Sequence, residues 1–266
     1  MRARIATALV LAAVTIAVLL YGPPWGARAL FGLFIAAGAW EWSGFLGNAG
    51  RAPRMAYVLL VAAAAIGVRV GLPATADFFR LLQFSACWWT FALLWILVAP
   101  QRTSVWACAV AGLFALVPTW VVLTRLVELW PRGPQWVLFI LTLAFAADTG
   151  AYFAGHAWGR VKLAPRVSPQ KTWEGVVGGM LFALAVGFGG SRWFELAPER
   201  FLPLCLAAAA YSVVGDLTES MFKRSAGLKD SGRLFPGHGG VLDRVDGVLA
   251  AAPVMCLGLL WLGVGR

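Results

Sequence analysis

The chain has 266 residues, of which 61% are hydrophobic and only 13% are charged, and its mean hydropathy is +0.78. Soluble domains average about 45–50% apolar and about 25% charged residues, so this composition excludes a water-soluble globular protein and a disordered chain. The net charge of +10 is typical of a membrane protein whose Lys and Arg lie in loops on one side.

Apolar stretches long enough to cross a bilayer recur along the chain and are separated by breaks rich in Gly and Pro. They predict an all-α polytopic membrane protein with about nine transmembrane helices and no soluble domain. The predicted spans are 5–21, 27–46, 55–72, 80–99, 104–127, 135–155, 175–192, 201–220 and 243–264. The first stretch has an alternative interpretation as a cleaved signal peptide, because Arg2 and Arg4 precede it and Ala27-Arg28-Ala29 resembles a cleavage site.

Charged residues are distributed unequally over these predicted segments. With the N-terminus in the cytoplasm, the cytoplasmic segments hold about twice as many Lys and Arg residues as the outer ones, which favours this orientation. The two longest polar loops, 156–174 and 221–242, then lie on the cytoplasmic face. Residues 1–147 contain three acids and the remainder contains nine. We therefore expect transmembrane scaffold helices in 1–147 and a catalytic region in 148–266.

The densest polar stretch closes the eighth predicted span and opens the ninth. Asp216, Glu219 and Ser220 share a helix face by their spacing, as do Asp243 and Asp246. Two neighbouring helix ends can therefore bring three aspartates to one point. Carboxylates inside a membrane are costly unless they are paired or bind a metal, and oxygen ligands without Cys suit Mg²⁺. For Asp243 alone, the alternative is an acid that complements a helix dipole or forms a solvated ion pair.

Basic residues and glycines accompany these acids. The basic residues are Lys223, Arg224, Lys229, Arg233 and Arg244, and the glycines are Gly237, Gly239 and Gly240. Glycine lets backbone N–H groups approach phosphate oxygens, and Lys and Arg neutralise phosphate charge, so the stretch predicts a site for several phosphates. His238 is a candidate phosphate donor, proton shuttle or loop staple, whereas His156 is interpreted as structural.

Three other polar features are candidates for the same site. The segment 168–175 contains Ser168, Lys171, Thr172 and Glu174 and is typical of a helix start, whose N-terminus can bind an anion; the alternative is a plain capping loop. Asp148 is an intramembrane acid, which indicates either a functional role or an ion pair. Glu41, between Trp40 and Trp42, is a lone acid for which an interhelical hydrogen bond is sufficient explanation.

Several motifs together resemble one known family. The run from Ser220 to Asp246, S-x-F-K-R-x4-K-D-x-G-x2-F-P-x-H-G-G-V-x-D-R-V-D, is similar to the signature of phosphatidate cytidylyltransferases (CDP-diacylglycerol synthases). The segments D-T-G-A-Y-F at 148–153, S-P-x-K-T-x-E-G at 168–175 and G-D-x-x-E-S at 215–220 resemble the same family. The resemblance covers about 148–246, whereas 1–147 agrees mainly in hydropathy.

The resemblance implies a multi-pass inner-membrane enzyme of phospholipid biosynthesis, acting as a homodimer, that joins CTP and phosphatidic acid into CDP-diacylglycerol and releases pyrophosphate. It also implies Mg²⁺ and a second, monovalent cation such as K⁺. Carried over by position, the metal ligands are Asp216, Asp243 and Asp246, which with Lys223 are the catalytic candidates. The candidates for binding the substrates are Ser168, Lys171, Thr172, Lys223, Arg224, Lys229, Arg233, His238, Gly239, Gly240 and Arg244. The candidates for supporting the ligands are Asp148, Glu174, Glu219 and Ser220.

Two other classes of function use similar residues. A CTP-dependent polyprenol kinase or a phospho-sugar transferase also needs Asp, Mg²⁺ and basic groups, but a kinase would release CDP instead of pyrophosphate. A cation-coupled transporter or channel is disfavoured because no internal repeat is visible and the acids gather at one predicted membrane face.

Overall fold

The computed structural model describes residues 2–47, 50–72, 75–101, 103–232 and 239–265. These residues form nine α-helices and one short antiparallel hairpin. The elements are α1 (Arg2–Tyr21), α2 (Pro24–Trp42), α3 (Arg51–Gly71), α4 (Thr75–Val98), α5 (Val105–Leu129), α6 (Gly133–Trp158), β1 (Lys162–Ala164), β2 (Ser168–Thr172), α7 (Trp173–Trp193), α8 (Pro198–Ser225) and α9 (Leu242–Trp261), with a 3-10 turn at Ser43–Leu46.

Eight of these helices, α2 to α9, are long and apolar enough to cross a bilayer. The described side chains of α1 begin at Leu9, and the apolar stretch Leu9–Tyr21 is shorter than a span. Large apolar side chains such as Leu33, Val70 and Leu97 are exposed on the surface of the chain, as expected for helices that are covered by hydrocarbon and not by water. The predicted all-α polytopic fold is therefore confirmed.

The structure differs from the predicted loops at their boundaries. Helix α6 continues to Trp158 and α8 continues to Ser225, so both predicted loops begin with helical residues. Helix α8 has 28 residues, more than the roughly 20 that a bilayer requires. It extends because Phe222 is buried beside the ring of Trp42, with the ring centroids 5.6 Å apart. The polar face of α8 consequently reaches Lys223.

The first predicted loop also contains the hairpin, which the sequence pattern did not indicate. Its strands pair Lys162 with Thr172 and Ala164 with Ser168. Strands this short and polar lack the alternation that makes strands recognisable. Helix α7 begins directly after the hairpin, as the helix-start motif predicts, with Thr172 as its N-cap.

The chain divides into two compact units, each built from separate stretches of sequence. Unit 1 contains Met1–Leu81, Arg102–Leu138 and Phe222–Val245, and unit 2 contains Leu82–Gln101, Phe139–Met221 and Asp246–Arg266. The scaffold role of 1–147 and the catalytic role of 148–266 concern function and stay predictions.

In unit 1 the end of α2 is fixed against α5. The Trp42 Nε1–H donates to the carbonyl of Cys108 at 2.9 Å, and the Tyr57 hydroxyl of α3 donates to the carbonyl of Ala109 at 2.8 Å. Both side chains fit because Gly112 of α5 has no side chain to collide with them. The first bond holds the last turn of α2 against α5, and the second holds α3 against the same part of α5.

In unit 2 the helices approach through small residues. A Cβ at Gly150 of α6 would collide with the backbone of Gly178 in α7, and a Cβ at Gly178 would collide with Ala154. Close backbone approach through small residues is the usual packing mode of membrane helices. Helix α4 joins α8 through a 2.7 Å hydrogen bond between the hydroxyls of Thr90 and Tyr211.

Candidate active site

Two polar clusters carry the predicted site residues, one in each unit. In unit 2 the first cluster centres on Asp216 of α8. Its Oδ2 atom lies 2.5 Å from the ammonium of Lys171 on β2, and the Ser220 hydroxyl lies 3.3 Å from its Oδ1 atom. The shared helix face predicted for Asp216 and Ser220 is therefore confirmed. The hairpin places Lys171 against this face.

The buried carboxyl group of Asp246, near the start of α9, belongs to the same cluster. It meets the side chain of Glu219 and lies within electrostatic reach of Asp216, Asp148 and Lys171. Asp246 and Glu219 are buried, whereas Asp148 is exposed on α6. Unit 2 thus gathers four acids with the Lys171 ammonium, and this concentration of negative charge favours a cation.

Gly215 lets α8 come close enough to α9 for this arrangement. A Cβ at Gly215 would collide with the backbone oxygen of Asp246 and approach Ala250. Any side chain here must push α9 away from Asp216. The glycine before Asp216 therefore sets the distance between two acids of the cluster.

We expect Gly215→Ala to lower both stability and turnover, because the added methyl group separates Asp216 from Asp246. The matched control is Gly189→Ala in α7, where nothing lies within 4 Å of the new Cβ. Alanine is favoured over glycine inside a helix by up to about 1 kcal/mol, so the control should keep or gain stability. Thermal unfolding and turnover of both variants in detergent check this expectation. Equal behaviour of the two variants would contradict the packing role of Gly215.

In unit 1 the second cluster surrounds Asp243, in the first turn of α9. The ammonium of Lys223 donates to its Oδ1 atom at 2.6 Å. Its Oδ2 atom accepts hydrogen bonds from the Ser231 N–H at 3.0 Å, the Ser231 hydroxyl at 2.9 Å and the Gly240 N–H at 2.8 Å. Lys223 and Asp243 side chains are only about one-tenth exposed, so the pair is largely removed from water.

Gly239 has a positive φ of 80°, which disfavours residues with a side chain, and a Cβ there would approach the Asp243 carboxylate. The glycines of this stretch thus allow the backbone to wrap closely around an anion. In the structure that anion is the Asp243 side chain. Binding of a substrate phosphate by Gly239 and Gly240 stays a prediction.

The other predicted site residues, which include the supporting candidate Glu174, fall into three groups. Thr172 is buried, and its hydroxyl accepts the Gly175 N–H at 3.1 Å, so it serves as a helix cap. Glu174 accepts the Val161 N–H with both carboxylate oxygens, at 3.1 and 3.2 Å, and holds the hairpin to α7. The exposed or half-buried residues are Ser168, Arg224, Lys229 and Arg244. Arg233 and His238 lie outside the described residues, and so does Gly237.

His156, interpreted as structural, is exposed on α6 and stacks on the ring of Tyr152, with the ring centroids 6.0 Å apart.

Glu41 is more extensively bonded than the sequence indicates. Its Oε1 atom accepts the Val241 N–H at 2.9 Å, and its Oε2 atom accepts the Leu242 N–H at 2.9 Å and the Ser231 hydroxyl at 3.0 Å. Glu41 therefore joins the end of α2 to the start of α9. A lone acid in the second predicted span, flanked by two tryptophans, was the only signal for this role in the sequence.

Within the described ranges, no group of three or more His, Cys, Asp or Glu side chains is arranged to hold a metal ion. The donor chemistry of the unit 2 cluster nevertheless fits Mg²⁺, because carboxylate oxygens from Asp216 and Asp246 lie near each other and near the Lys171 cation. Asp243, in contrast, has both oxygens occupied by Lys223, Ser231 and Gly240. The assignment of three metal-binding aspartates stays a prediction.

Comparison with known proteins places these features in a family. The model of the cytidylyltransferase family matches residues 2–261. The chain is 42% identical to a phosphatidate cytidylyltransferase of Pseudomonas aeruginosa over 88% of both proteins. It is 38% identical to the Haemophilus influenzae protein of that name, over 95% of this chain and 96% of the relative. A Brucella suis protein of the same name is 47% identical over about half of each chain. The chain belongs to the cytidylyltransferase family.

Proposed function

We propose that this membrane protein transfers the cytidylyl group of CTP to phosphatidic acid, forming CDP-diacylglycerol and pyrophosphate for phospholipid synthesis. The observation that carries the proposal is the 42% identity to a protein named phosphatidate cytidylyltransferase over 88% of both chains. The two polar clusters at α8 and α9 support it, because they contain the acids and cations that transfer between two polyanions requires.

In the proposed reaction a phosphate oxygen of phosphatidic acid attacks the α-phosphorus of CTP. The bond between the α-phosphorus and the oxygen bridging to the β-phosphate breaks, and pyrophosphate leaves with that electron pair. The attacking phosphate is already ionised near pH 7, so the reaction needs no strong general base. The protein must therefore mainly bring two anions together and stabilise charge on the leaving group.

The basic residues supply the positive charge for this task. Lys171 and Lys223 are tied to Asp216 and Asp243, which fixes their ammonium groups where an incoming phosphate can compete for them. Arg224, Lys229 and Arg244 are exposed on the surface of the chain. We expect the fixed lysines to orient the phosphates and the exposed residues to contribute mainly to affinity.

Asp216 and Asp246, both in unit 2, are the residues proposed to hold Mg²⁺; a metal-binding role of Asp243 stays an expectation from the family resemblance. Bound Mg²⁺ supplies charge neutralisation on the phosphate oxygens. A second, monovalent cation such as K⁺ belongs to the same proposal. Lys171 pairs with Asp216 at 2.5 Å. If Asp216 holds Mg²⁺, the ammonium of Lys171 would be available for a substrate phosphate.

The protein is proposed to lie in the bacterial inner membrane as a homodimer, with its N-terminus and the loops 156–174 and 221–242 facing the cytoplasm. This orientation is supported by the excess of Lys and Arg in those segments. It gives CTP access from the cytosol while the acyl chains of the lipid remain in the bilayer.

Two labelled forms of CTP test the reaction with purified protein, Mg²⁺ and phosphatidic acid in detergent. We expect label from the α-phosphate to enter the lipid product and label from the γ-phosphate to leave as pyrophosphate. Omission of phosphatidic acid is the control. Transfer of γ-label to a lipid with release of CDP would identify a kinase and contradict the proposal.

A further inference from the structure

We propose that Glu41 is a positioning residue for the cytidylyl transfer: it caps α9 and, through the Ser231 hydroxyl, holds Asp243 in place. This inference rests on the proposed function. Glu41 lies in the first half of the chain, outside every motif that carries the family resemblance. All the groups involved belong to unit 1.

The first step is the cap itself. The two carboxylate oxygens of Glu41 accept the N–H groups of Val241 and Leu242, both at 2.9 Å. These N–H groups lie at the start of α9, where no carbonyl of the same helix can accept them. A negative charge at this end of the helix is also favoured by the helix dipole. Glu41, from the distant helix α2, thus caps the start of α9.

The second step links the cap to Asp243. The Ser231 hydroxyl lies 3.0 Å from Glu41 Oε2 and 2.9 Å from Asp243 Oδ2. One hydroxyl carries one proton and can donate it to only one of these carboxylates at a time. The Ser231 N–H and the Gly240 N–H donate to Asp243 as well. Glu41 and Asp243 therefore share a donor and are held at a set separation.

The third step is the close packing around Glu41. A Cβ at Gly232 or at Gly240 would collide with the Glu41 carboxylate, so the backbone packs directly against this acid at two glycines. Glu41 itself is about 5% exposed. A carboxylate in such a space has little room to move. The start of α9, and with it the Asp243 backbone, is therefore placed by Glu41.

Glu41→Gln tests this inference because it preserves size but removes the charge. The amide has one acceptor oxygen, so its amino group must face either the Val241 or the Leu242 N–H. Two donors then face each other, and one hydrogen bond of the cap is lost. We expect kcat to fall by about 10²-fold, as for displacement of a reacting group by about 1 Å, with little change in KM for CTP. Glu41→Asp, which keeps the charge, should retain more activity than Glu41→Gln.

The matched control is Glu128→Gln, which also removes the charge of a carboxylate in unit 1 that is largely shielded from solvent. Glu128 pairs with Arg28 and Arg69 near the ends of α2 and α3 that lie away from Glu41. We expect Glu128→Gln to lower stability and to keep the wild-type kcat in the folded fraction. Loss of kcat by Glu41→Gln only in proportion to unfolded protein, as in the control, would overturn the inference.

A double-mutant cycle with Ser231→Ala separates positioning from general damage. Residues that act through one hydrogen bond have non-additive effects, so Glu41→Gln should reduce kcat less in the Ser231→Ala background than in the wild type. Glu128→Gln and Ser231→Ala should be additive. Additive effects for the Glu41 and Ser231 pair would contradict their link.

Amide hydrogen exchange distinguishes failure of this inference from failure of the proposed function. If the wild-type protein makes no CDP-diacylglycerol, the proposed function is wrong. The Glu41→Gln variant should still exchange the amides of Val241 and Leu242 faster than the wild type and the Glu128→Gln control. Unchanged exchange at these two amides would overturn the cap.

Discussion

Asp246→Asn should reduce turnover by about 10³-fold, the loss typical when one electrostatic group of a preorganised site is removed. Asp246 is buried and lies within reach of Asp216, Glu219 and Lys171. The amide is the same size but carries no charge, so it weakens the attraction of the cluster for a cation. Turnover of CTP with phosphatidic acid at saturating substrate and Mg²⁺ measures the effect.

The control for this change is Asp77→Asn. Asp77 lies in the first turn of α4 and pairs with Arg80 at 2.9 Å on a largely exposed surface. Surface pairs of this kind contribute about 0–1 kcal/mol, so the control should keep wild-type turnover. Full activity of Asp246→Asn would exclude a role for its charge.

Thermal unfolding distinguishes a cation site from a purely structural acid. Without Mg²⁺, Asp246→Asn should be at least as stable as the wild type, because it removes one of several like charges from a confined cluster. With Mg²⁺ at 100 times its dissociation constant, the wild type should gain about 2.7 kcal/mol and the variant should gain less. An equal gain for both proteins would contradict metal binding by Asp246.

The second large effect is expected for the pair of Lys223 and Asp243. Removal of one partner of a buried ion pair costs about 3–5 kcal/mol, because the other charge is left without compensation. Lys223→Gln and Asp243→Asn should therefore each lower the unfolding temperature strongly. Both single variants should also lose turnover, measured on the folded fraction.

The double variant Lys223→Gln with Asp243→Asn separates stability from catalysis. Two neutral side chains of similar size can hydrogen-bond each other, so most of the stability should return. Activity should stay low, because the double variant lacks the Lys223 cation proposed to orient a substrate phosphate and the Asp243 carboxylate that holds this cation in place. Recovery of activity together with stability would show that the pair is structural only.

The helix positions and several local features were predictable from residue order. The apolar stretches and their Gly and Pro breaks identify eight helices that are confirmed as long and apolar enough to span a bilayer. The spacing of Asp216 and Ser220 predicts their contact on α8. The start of α7 follows from the capping motif at Thr172. These features depend on neighbours within a turn or two, which is why sequence spacing is sufficient for them.

The predicted C-terminal end of α8 lies too early in the sequence, because the prediction used hydropathy alone. Helix α8 was expected to stop near residue 220, but Phe222 and Lys223 continue it. Each has a partner in the folded chain, Trp42 for the ring of Phe222 and Asp243 for the ammonium of Lys223. Hydropathy treats a lysine as a loop residue and takes no account of the buried carboxylate that compensates its charge.

Residue order alone thus accounts for a membrane protein of many helices with acids concentrated near the ends of α8 and α9, because burial in hydrocarbon and helical periodicity act locally. The partner that each acid meets, including Glu41 of α2, was decided by tertiary structure. Glu41 meets the Ser231 hydroxyl across 190 positions of sequence, and Lys171 meets Asp216 from a hairpin that had no recognisable pattern. In a medium of low dielectric constant a polar group must find a partner, and only the packing of distant segments determines which partner is within reach.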